Sequence, residues 1–192
     1  MPTRAAIGLG SNLGDRARHI AEALGALSEL GDLVATSALY QTAPIGGPEQ
    51  GPYLNAVAVI DTNLSARDLL EACLEIEQRH GRERRERWGP RTLDLDIVLY
   101  GAAAVDEPGL TVPHPELANR RFVLEPLVEA WPNAALPDGT QVADLLPTVA
   151  DQAVRRMQGP VPSRSFSLAA IGITIVGALL IWWIFDWLIG LF

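Results

Sequence analysis

The stretch GRERRERWGPRTLDLDIVL, residues 81–99, joins an arginine-rich run to an apolar segment that carries two aspartates, Asp94 and Asp96. The alternating pattern of residues 93–100 predicts a β-strand, and side chains two apart in a strand point to the same face. Asp94 and Asp96 are therefore expected to stand side by side, while the residues between them face the other way. Two adjacent carboxylates on a rigid strand suit Mg²⁺, which takes carboxylate oxygens together with waters and substrate phosphates.

The arginines ahead of this strand are typical of a phosphate-binding loop, because a guanidinium stays charged and can make two parallel hydrogen bonds to phosphate. They are Arg82, Arg84, Arg85, Arg87 and Arg91. A solvated charged loop before an edge strand is the alternative interpretation, since charge runs usually cover a surface. Trp88, Gly89 and Pro90 favour the phosphate-binding loop, because they add stacking and turn chemistry that a merely soluble loop does not need.

Arginines interleaved with an aromatic residue also occur in nucleic-acid-binding domains. This chain, however, has 23 acidic against 15 basic residues and a formal net charge of −8. Such an acidic balance argues against a footprint on a phosphate backbone. An RNA-binding domain on a sheet would also need exposed aromatics on adjacent central strands, and no such motif is present. We therefore expect no nucleic-acid partner.

The predicted strands and helices alternate in the order β-α-β-β-α-β. They are strand 5–9, helix 16–30, strand 33–40, strand 53–61, helix 65–80 and strand 94–100. Asp15 and Ser65 are the expected helix N-caps. Strands 33–40 and 53–61 are joined without a helix, which favours antiparallel pairing. The order predicts an α+β, ferredoxin-like βαββαβ sandwich with helices covering one sheet face, followed by extra C-terminal helices near 119–129 and 142–146.

Three further features narrow the class of protein. Gly8, Gly10 and Gly14 imitate a dinucleotide-binding fingerprint, but no acidic residue ends the following strand where a ribose partner is needed. The single cysteine, Cys73, excludes an internal disulfide and falls on the apolar side of its predicted helix. The chain contains no lysine, so a P-loop lysine is also excluded.

The C-terminal segment is apolar enough to cross a membrane. No charged residue occurs between 166 and 185, and about 20 apolar residues suffice for a transmembrane helix. Three tryptophans near its end suit an interfacial belt, and arginines ahead of it favour a single-pass protein whose catalytic domain lies on the cytoplasmic side. The alternatives are a buried core helix and a dimerisation element. We predict a domain at 1–157, a linker at 158–167 and a transmembrane tail anchor at 168–187.

Four segments, in order along the chain, resemble the signatures of the 6-hydroxymethyl-7,8-dihydropterin pyrophosphokinase family of folate biosynthesis. They are IGLGSNLGDR (7–16), YQTAPIGGPEQGPYLNAV (40–57), RWGPRTLDLDIVLYG (87–101) and TVPHPELANRRFVLEPL (111–127). The resemblance covers roughly residues 4–147. It implies an α+β fold and the transfer of a pyrophosphoryl group from ATP to the hydroxymethyl group of a reduced pterin, with release of AMP.

The resemblance also implies roles for individual residues. Asp94 and Asp96 would hold two Mg²⁺ ions, and Arg82 and Arg91 would stabilise charge on the transferring phosphates. The ATP site implied in this way comprises Glu77, Arg82, Arg84, Arg91, Ile97, Thr111, His114 and Arg120. The implied pterin site comprises Thr42, Pro44, Ile45, Tyr53, Asn55, Trp88 and Phe122, with Tyr53 and Phe122 stacking on the ring and Trp88 closing as a lid.

Several of these residues have a structural alternative. Tyr53 and Phe122 could be core aromatics, Asn55 an edge-strand polar residue, and Glu77 an exposed helix glutamate. His114 could cap a turn. His19 and His80 are predicted on helix surfaces and receive no role. Glu116 departs from the family pattern beside the ATP motif, where a neutral or basic residue is expected.

Two functions of different classes remain open at this point. The first is an active pyrophosphokinase tethered to a membrane, with a neighbouring folate-pathway enzyme as a candidate partner. The second is a catalytically silent, membrane-anchored module that binds nucleotide or pterin. The intact set of Asp94, Asp96, Arg82 and Arg91 favours the enzyme, because a silent copy has no need of it.

Overall fold

A computed structural model of the chain describes residues 1–44, 47–82 and 89–158. In chain order these residues form β1 (Thr3–Ser11), α1 (Arg16–Leu27), β2 (Asp32–Thr36), β3 (Tyr40–Thr42), β4 (Tyr53–Thr62), α2 (Ala66–Arg79), β5 (Asp94–Tyr100), β6 (Val105–Glu107), β7 (Leu110–Val112), α3 (Arg121–Ala130) and β8 (Val154–Arg156). Two 3₁₀ helices, Leu117–Asn119 and Val142–Val149, flank α3. The predicted βαββαβ order is confirmed up to β5, except that the second predicted strand is divided into β2 and β3.

The main sheet is antiparallel and is built around β1. β1 pairs with β4 on one side and with β5 on the other. β2 and β3 both pair with the outer edge of β4, and β8 pairs with β3. This order places residues from three distant parts of the chain, on β1, β4 and β5, next to one another at one end of the sheet.

Helices cover both faces of this sheet. On one face α1 and α2 pack on Ile7, Leu9, Leu95 and Ile97 in the larger apolar core. On the other face α3 and the second 3₁₀ helix form a smaller core with strand residues such as Val57. The prediction of helices on one face therefore described only half of the packing. The second layer forms because β4 carries apolar side chains on both faces of the sheet.

The predicted strand 33–40 is divided in the structure. Its two parts are β2 and β3, and Ser37 lies between them. The Ser37 backbone N–H donates to the Val57 carbonyl at 2.9 Å, while the Ser37 hydroxyl accepts from the Val57 N–H at 3.0 Å. A serine side chain thus replaces one main-chain partner of the ladder, and this competition with the backbone is what interrupts the strand.

The predicted N-caps are confirmed. The Asp15 side chain accepts a hydrogen bond from the Arg18 N–H, and the Ser65 side chain accepts one from the Asp68 N–H. The predicted helix 119–129 begins at Arg121, and the predicted helix 142–146 is a 3₁₀ helix that continues to Val149. The hairpin β6–β7 and strand β8 were not predicted, because three-residue strands are too short to show a period.

The apolar C-terminal segment, predicted as a tail anchor at 168–187, lies outside the described residues. So does nearly all of the predicted linker. Among residues 1–44, 47–82 and 89–158, no helix is both long and apolar enough to cross a bilayer.

Candidate active site

A cleft of about 630 Å³ opens over one end of the main sheet, a size typical of small-molecule sites. Its floor is β1, where Gly8 and Gly10 face the cleft. A Cβ atom on Gly8 would lie 3.3 Å from Val98 Cγ2, and one on Gly10 would lie 3.5 Å from Asn55 Oδ1. The absence of a side chain at these two glycines therefore leaves space in the cleft. This requirement explains the Gly8–Gly10 spacing that imitates a dinucleotide fingerprint.

The predicted carboxylate pair lies on the wall of this cleft. Asp94 is paired in register with Gly10, and Asp96 with Gly8. Both aspartates line the cleft, whereas the side chains of Leu95 and Ile97 lie in the core beneath the helices. The alternation of the strand therefore places the two carboxylates on one face, as the sequence predicts.

Two arginines hold Asp94 from opposite sides. Arg82 Nη2 lies 2.7 Å from Asp94 Oδ1, and Arg91 Nη1 lies 2.5 Å from Asp94 Oδ2. Arg82 also forms an ion pair with Glu77. Burial tends to lower the pKa of Arg91, but the Asp94 carboxylate outweighs it and the pKa is raised. The Arg91 guanidinium therefore remains charged at the edge of the cleft.

Glu77 is buried, so its interpretation as an exposed helix residue is wrong. Its carboxylate accepts a hydrogen bond from the Leu95 N–H at 2.7 Å and pairs with Arg82. Burial raises the pKa of Glu77, although the Leu95 amide and Arg82 partly offset it. Glu77 thus ties α2 to β5 directly beneath the carboxylate pair and does not line the cleft.

Asp96 lies on β5 in the wall of the cleft. Its side chain remains accessible to solvent, although protein atoms surround it on several sides. This partial burial, followed by repulsion from Asp94, raises the pKa of Asp96, while His114, Arg120 and Arg82 act in the opposite direction. A cation between the two carboxylates would relieve their repulsion.

The turn after β1 positions Arg91, a role that sequence reasoning missed. The Asn12 and Leu13 amides both donate to the Arg91 carbonyl, at 3.1 and 3.2 Å. Asn12 Oδ1 accepts from the Arg91 N–H at 2.7 Å, and Asn12 Nδ2 donates to Gln50 Oε1 at 2.8 Å. One asparagine therefore joins the arginine segment to the loop before β4. The only signal for it was its place in the family-like motif at 7–16.

A second group of side chains lines the cleft next to β5, the strand that carries the aspartates. The His114 N–H donates to the Val98 carbonyl at 3.0 Å, and His114 Nδ1 accepts from the Glu116 N–H at 3.1 Å. In a neutral ring the proton is then on Nε2, which makes His114 a hydrogen-bond donor. Arg120 Cζ lies 5.8 Å from the centroid of the Phe122 ring. His114, Glu116, Arg120 and Phe122 all line the cleft.

The predicted pterin residues on β3 and β4 form a polar corner. Asn55 Nδ2 donates to Thr42 Oγ1 at 2.9 Å, and both residues are buried. Asn55 lies on β4, which has strand neighbours on both sides, so its interpretation as an edge residue is wrong. Tyr53 and Phe122 are partly exposed and line the cleft, so neither is a core aromatic.

Three of the remaining predicted residues, Pro44, Ile97 and Thr111, are not part of the cleft lining. Ile97 has its side chain in the core. Thr111 lies on the exposed side of β7, with its hydroxyl 3.4 Å from Asp106 Oδ1. Pro44 is partly buried at the end of the segment after β3. Ile45, Arg84 and Trp88 lie outside the described residues, so their roles stay predictions.

The glycine floor, the paired carboxylates and the flanking arginines suit an α+β enzyme that transfers phosphate groups. The sequence profile of one family of such enzymes matches residues 6–132. The chain belongs to this family, 7,8-dihydro-6-hydroxymethylpterin-pyrophosphokinase (HPPK).

Curated relatives agree with this assignment. The chain is 44% identical over 161 residues to the 2-amino-4-hydroxy-6-hydroxymethyldihydropteridine pyrophosphokinase of Pseudomonas aeruginosa, covering 83% of this chain and 99% of the relative. It is 44% identical over 147 residues to the enzyme of the same name from Haemophilus influenzae, covering 76% and 92%. The bifunctional protein FolKE of Lactococcus lactis is 38% identical, but the match covers only 37% of that protein.

Solved structures show the same fold at low identity. A crystal structure of Plasmodium falciparum HPPK-DHPS, a triple mutant with pteroate, superposes with a TM-score of 0.63 at 14% identity and 79% coverage of this chain. The match spans 44% of that longer chain. At this identity the likeness concerns the fold alone.

Proposed function

We propose that the cleft over Gly8 and Gly10 is where this chain carries out its pyrophosphokinase reaction. The reaction transfers pyrophosphate from ATP to 6-hydroxymethyl-7,8-dihydropterin, giving the pterin diphosphate and AMP, in folate biosynthesis. One observation carries the location: Asp94 and Asp96 stand side by side in the cleft, with two arginines at its edge. Phosphate transfer needs alignment and charge neutralisation more than covalent chemistry.

The polar corner of Thr42 and Asn55 is the proposed pterin subsite. Because the Asn55 amide group donates to Thr42, its carbonyl oxygen is directed over Gly10 and can accept from a ring N–H. Tyr53 and Phe122 supply aromatic surface on either side of this corner, which suits a flat heterocycle. Pro44, Ile45 and the lid residue Trp88 complete the proposed subsite on the family resemblance alone.

Asp94 and Asp96 fit a magnesium site. Their oxygens are the hard ligands that Mg²⁺ prefers, and the raised pKa of Asp96 reflects a burial and a repulsion that bound cations would offset. When bound, two Mg²⁺ ions would neutralise phosphate charge and lower the pKa of the attacking hydroxyl. The protein's own part is to hold both carboxylates rigidly on β5.

The arginines are proposed to exchange partners when ATP binds. Arg82 and Arg91 pair with Asp94, so their charge already lies beside the carboxylates. Phosphate oxygens would compete for the same donors, and bidentate contacts to phosphate are the strong ones. His114 would add the Nε2 proton, and Arg120, stacked near Phe122, would contact the nucleotide next to the pterin.

Four further ATP contacts rest on the family resemblance. The Ile97 side chain is in the core, so only its main chain is available to ATP. Glu77 would act by positioning Arg82. Arg84 and Thr111 are kept as proposed nucleotide contacts without support from the described contacts.

The test of the reaction uses the full chain with Mg²⁺, ATP and 6-hydroxymethyl-7,8-dihydropterin. We expect AMP and pterin diphosphate in equal amounts, no AMP without the pterin, and no product when EDTA removes the metal. ATP binding without AMP formation would overturn the proposal and support the catalytically silent module instead.

We also propose that residues 168–187 anchor the domain at 1–157 to a membrane through the linker at 158–167. The support is the uncharged span, its terminal tryptophans and the preceding arginines, which favour a cytoplasmic catalytic domain. Such an anchor could place the enzyme beside a neighbouring folate-pathway enzyme. The test compares the full chain with a chain ending at Met157. We expect only the full chain to sediment with membranes and resist carbonate extraction, and equal behaviour of the two would overturn the anchor.

A further inference from the structure

A second cluster of chemistry-bearing side chains lies outside the cleft, where α1 meets the end of α2. It consists of His19 and Glu22, one turn apart on α1, and His80, the C-cap residue of α2. His19 and His80 were predicted on exposed helix surfaces, but the structure brings their rings together and partly buries all three residues. The mechanism of phosphate transfer makes no use of this cluster.

The three side chains converge on a small volume. His19 Nδ1 lies 3.0 Å from His80 Nδ1, and His80 Nδ1 lies 4.0 Å from Glu22 Oε2. One potential ligand atom from each residue lies within 4.8 Å of the others. The imidazole planes meet at 71° in a T-shaped arrangement, with the two Nδ1 atoms in contact.

We propose that His19, Glu22 and His80 form a binding site for a divalent transition-metal ion of the Zn²⁺ class, separate from the Asp94–Asp96 pair. Two imidazole nitrogens and one carboxylate oxygen are a ligand set that Zn²⁺ takes when it keeps a water as its remaining ligand. Bonds of about 2.0–2.1 Å in a tetrahedron separate two nitrogens by about 3.3 Å. The observed spacing therefore needs only a small opening of the rings and a rotation of the glutamate.

The ligand types distinguish this site from the magnesium pair. Imidazole nitrogen suits Zn²⁺ and its neighbours in the first transition series, whereas Mg²⁺ prefers oxygen ligands only. Without a metal, one imidazole donates to the other across the 3.0 Å contact. A bound metal would replace that single hydrogen bond by ligation from both rings.

The cluster lies close to both ends of the arginine-rich segment, Arg82 and Arg91. His80 stands two residues before Arg82, which pairs with Asp94. His19 Nε2 lies 3.3 Å from where a Cβ of Gly14 would stand, in the turn whose Asn12 holds Arg91. A metal at this site would therefore fasten α1 to α2 next to the residues that position both arginines.

The experiment titrates the metal-free full chain with Co²⁺, whose visible absorption reports ligand number and type, and then displaces it with Zn²⁺. We expect one Co²⁺ per chain with the intense bands of a four- or five-coordinate ion, unaffected by millimolar Mg²⁺. His80→Gln should weaken this binding by more than about 100-fold, because removing a direct ligand costs more than losing an outer-shell partner. Glu22→Gln, on a more exposed side chain, is the second variant if His80→Gln folds poorly.

Two matched controls decide which residues bind the metal. Asp96→Asn removes an oxygen ligand from the cleft, and His114→Gln removes the third histidine of the chain. Both should keep the Co²⁺ bands, since neither residue belongs to the cluster. An absence of bands in the parent chain, or bands that survive His80→Gln and disappear in either control, would overturn the proposal and leave a hydrogen-bonded histidine pair.

Discussion

The two ends of the sheet around β1 both carry arginine–aspartate pairs, but they are built differently. At the end away from the cleft, Arg4 Nε and Nη2 each donate to one oxygen of Asp61, both at 2.8 Å. Arg4 also lies over the Trp131 ring, 5.8 Å from its centroid. At the cleft end, two arginines share Asp94.

The difference lies in how completely the charges are matched. The Arg4–Asp61 pair is a bidentate fork that satisfies both carboxylate oxygens and needs no ligand. At the cleft end, the neighbouring Asp96 carboxylate makes no hydrogen bond or ion pair with any residue in the described part of the chain. The cleft end of the sheet therefore has a carboxylate that can bind a cation and arginines that can bind an anion. The same residue types serve the fold at one end and a ligand at the other.

The largest expected effect comes from Asp96→Asn. We expect AMP formation to fall by about 10³-fold or more, because the variant loses a metal ligand that stabilises charge in the transition state. The melting temperature should stay the same or rise slightly, since repulsion from Asp94 is removed. Asp61→Asn is the matched control and should do the reverse, keeping activity while lowering the melting temperature. Near-normal AMP release by Asp96→Asn would contradict the comparison.

A smaller loss of activity is expected from Gly10→Val, which places a side chain on the cleft floor between Asn55 and Asp94. Its branches would press on Asn55 and Asp94 and displace both, and a misplacement of about 1 Å can cost about 100-fold, so we expect a loss of that size in kcat/KM for the pterin. Gly25→Ala in α1, where a Cβ meets nothing within 4 Å, is the control. It should stabilise the chain by about 0.5–1 kcal/mol without changing activity. Equal kinetics for the two variants would show that the floor is not used.

The sequence was sufficient to place Asp94 and Asp96 because a period of two is a local property of one strand. It could not assign Asn12, whose partner Arg91 is 79 residues away and is brought close only by the pairing of β1 with β5. The same holds for Gly8 and Gly10. Their spacing is common to any strand face, and the reason for it lies in side chains of β4 and β5.

Burial was the other property that local pattern could not supply. Glu77 has the sequence context of an exposed helix residue, yet it is buried, because the Leu95 amide and Arg82 stabilise its carboxylate in the interior. The division of the predicted strand 33–40 has a similar origin, since it depends on Ser37 meeting Val57 on another strand. In each case the deciding partner is distant in sequence.

Arginine-to-lysine changes test the two ends with one kind of substitution. Arg91→Lys keeps the charge but loses the fork, so we expect kcat to fall by about 10- to 100-fold in steady-state AMP assays. Arg4→Lys should leave kcat unchanged and lower only the melting temperature, because its fork donates to Asp61 at the end of the sheet away from the cleft. A comparable loss of kcat in both variants would mean that the far end also contributes to catalysis.

The smallest expected effect concerns Glu129, a third carboxylate. Its charge, like that of Asp61, is balanced by protein groups without a ligand. Burial raises its pKa, but hydrogen bonds from Arg156, Tyr40 and the Ala38 amide outweigh burial and lower the pKa below 4.5, the ordinary value. The same contact, after burial, raises the pKa of Tyr40 to about 12. The charged Glu129 is therefore favoured in the folded state.

A lowered folded pKa stabilises the chain above the unfolded pKa, and the stabilisation is lost as pH falls through the folded value. Glu129→Gln should thus lower the melting temperature at pH 7 and match the parent chain at a pH below both pKa values. Calorimetry of the two chains from pH 7 downward measures this, with AMP formation at pH 7 unchanged. A melting-temperature difference that stays constant on acidification would show that the variant loses packing and not charge, and Glu129 would no longer belong with Asp61 in the comparison.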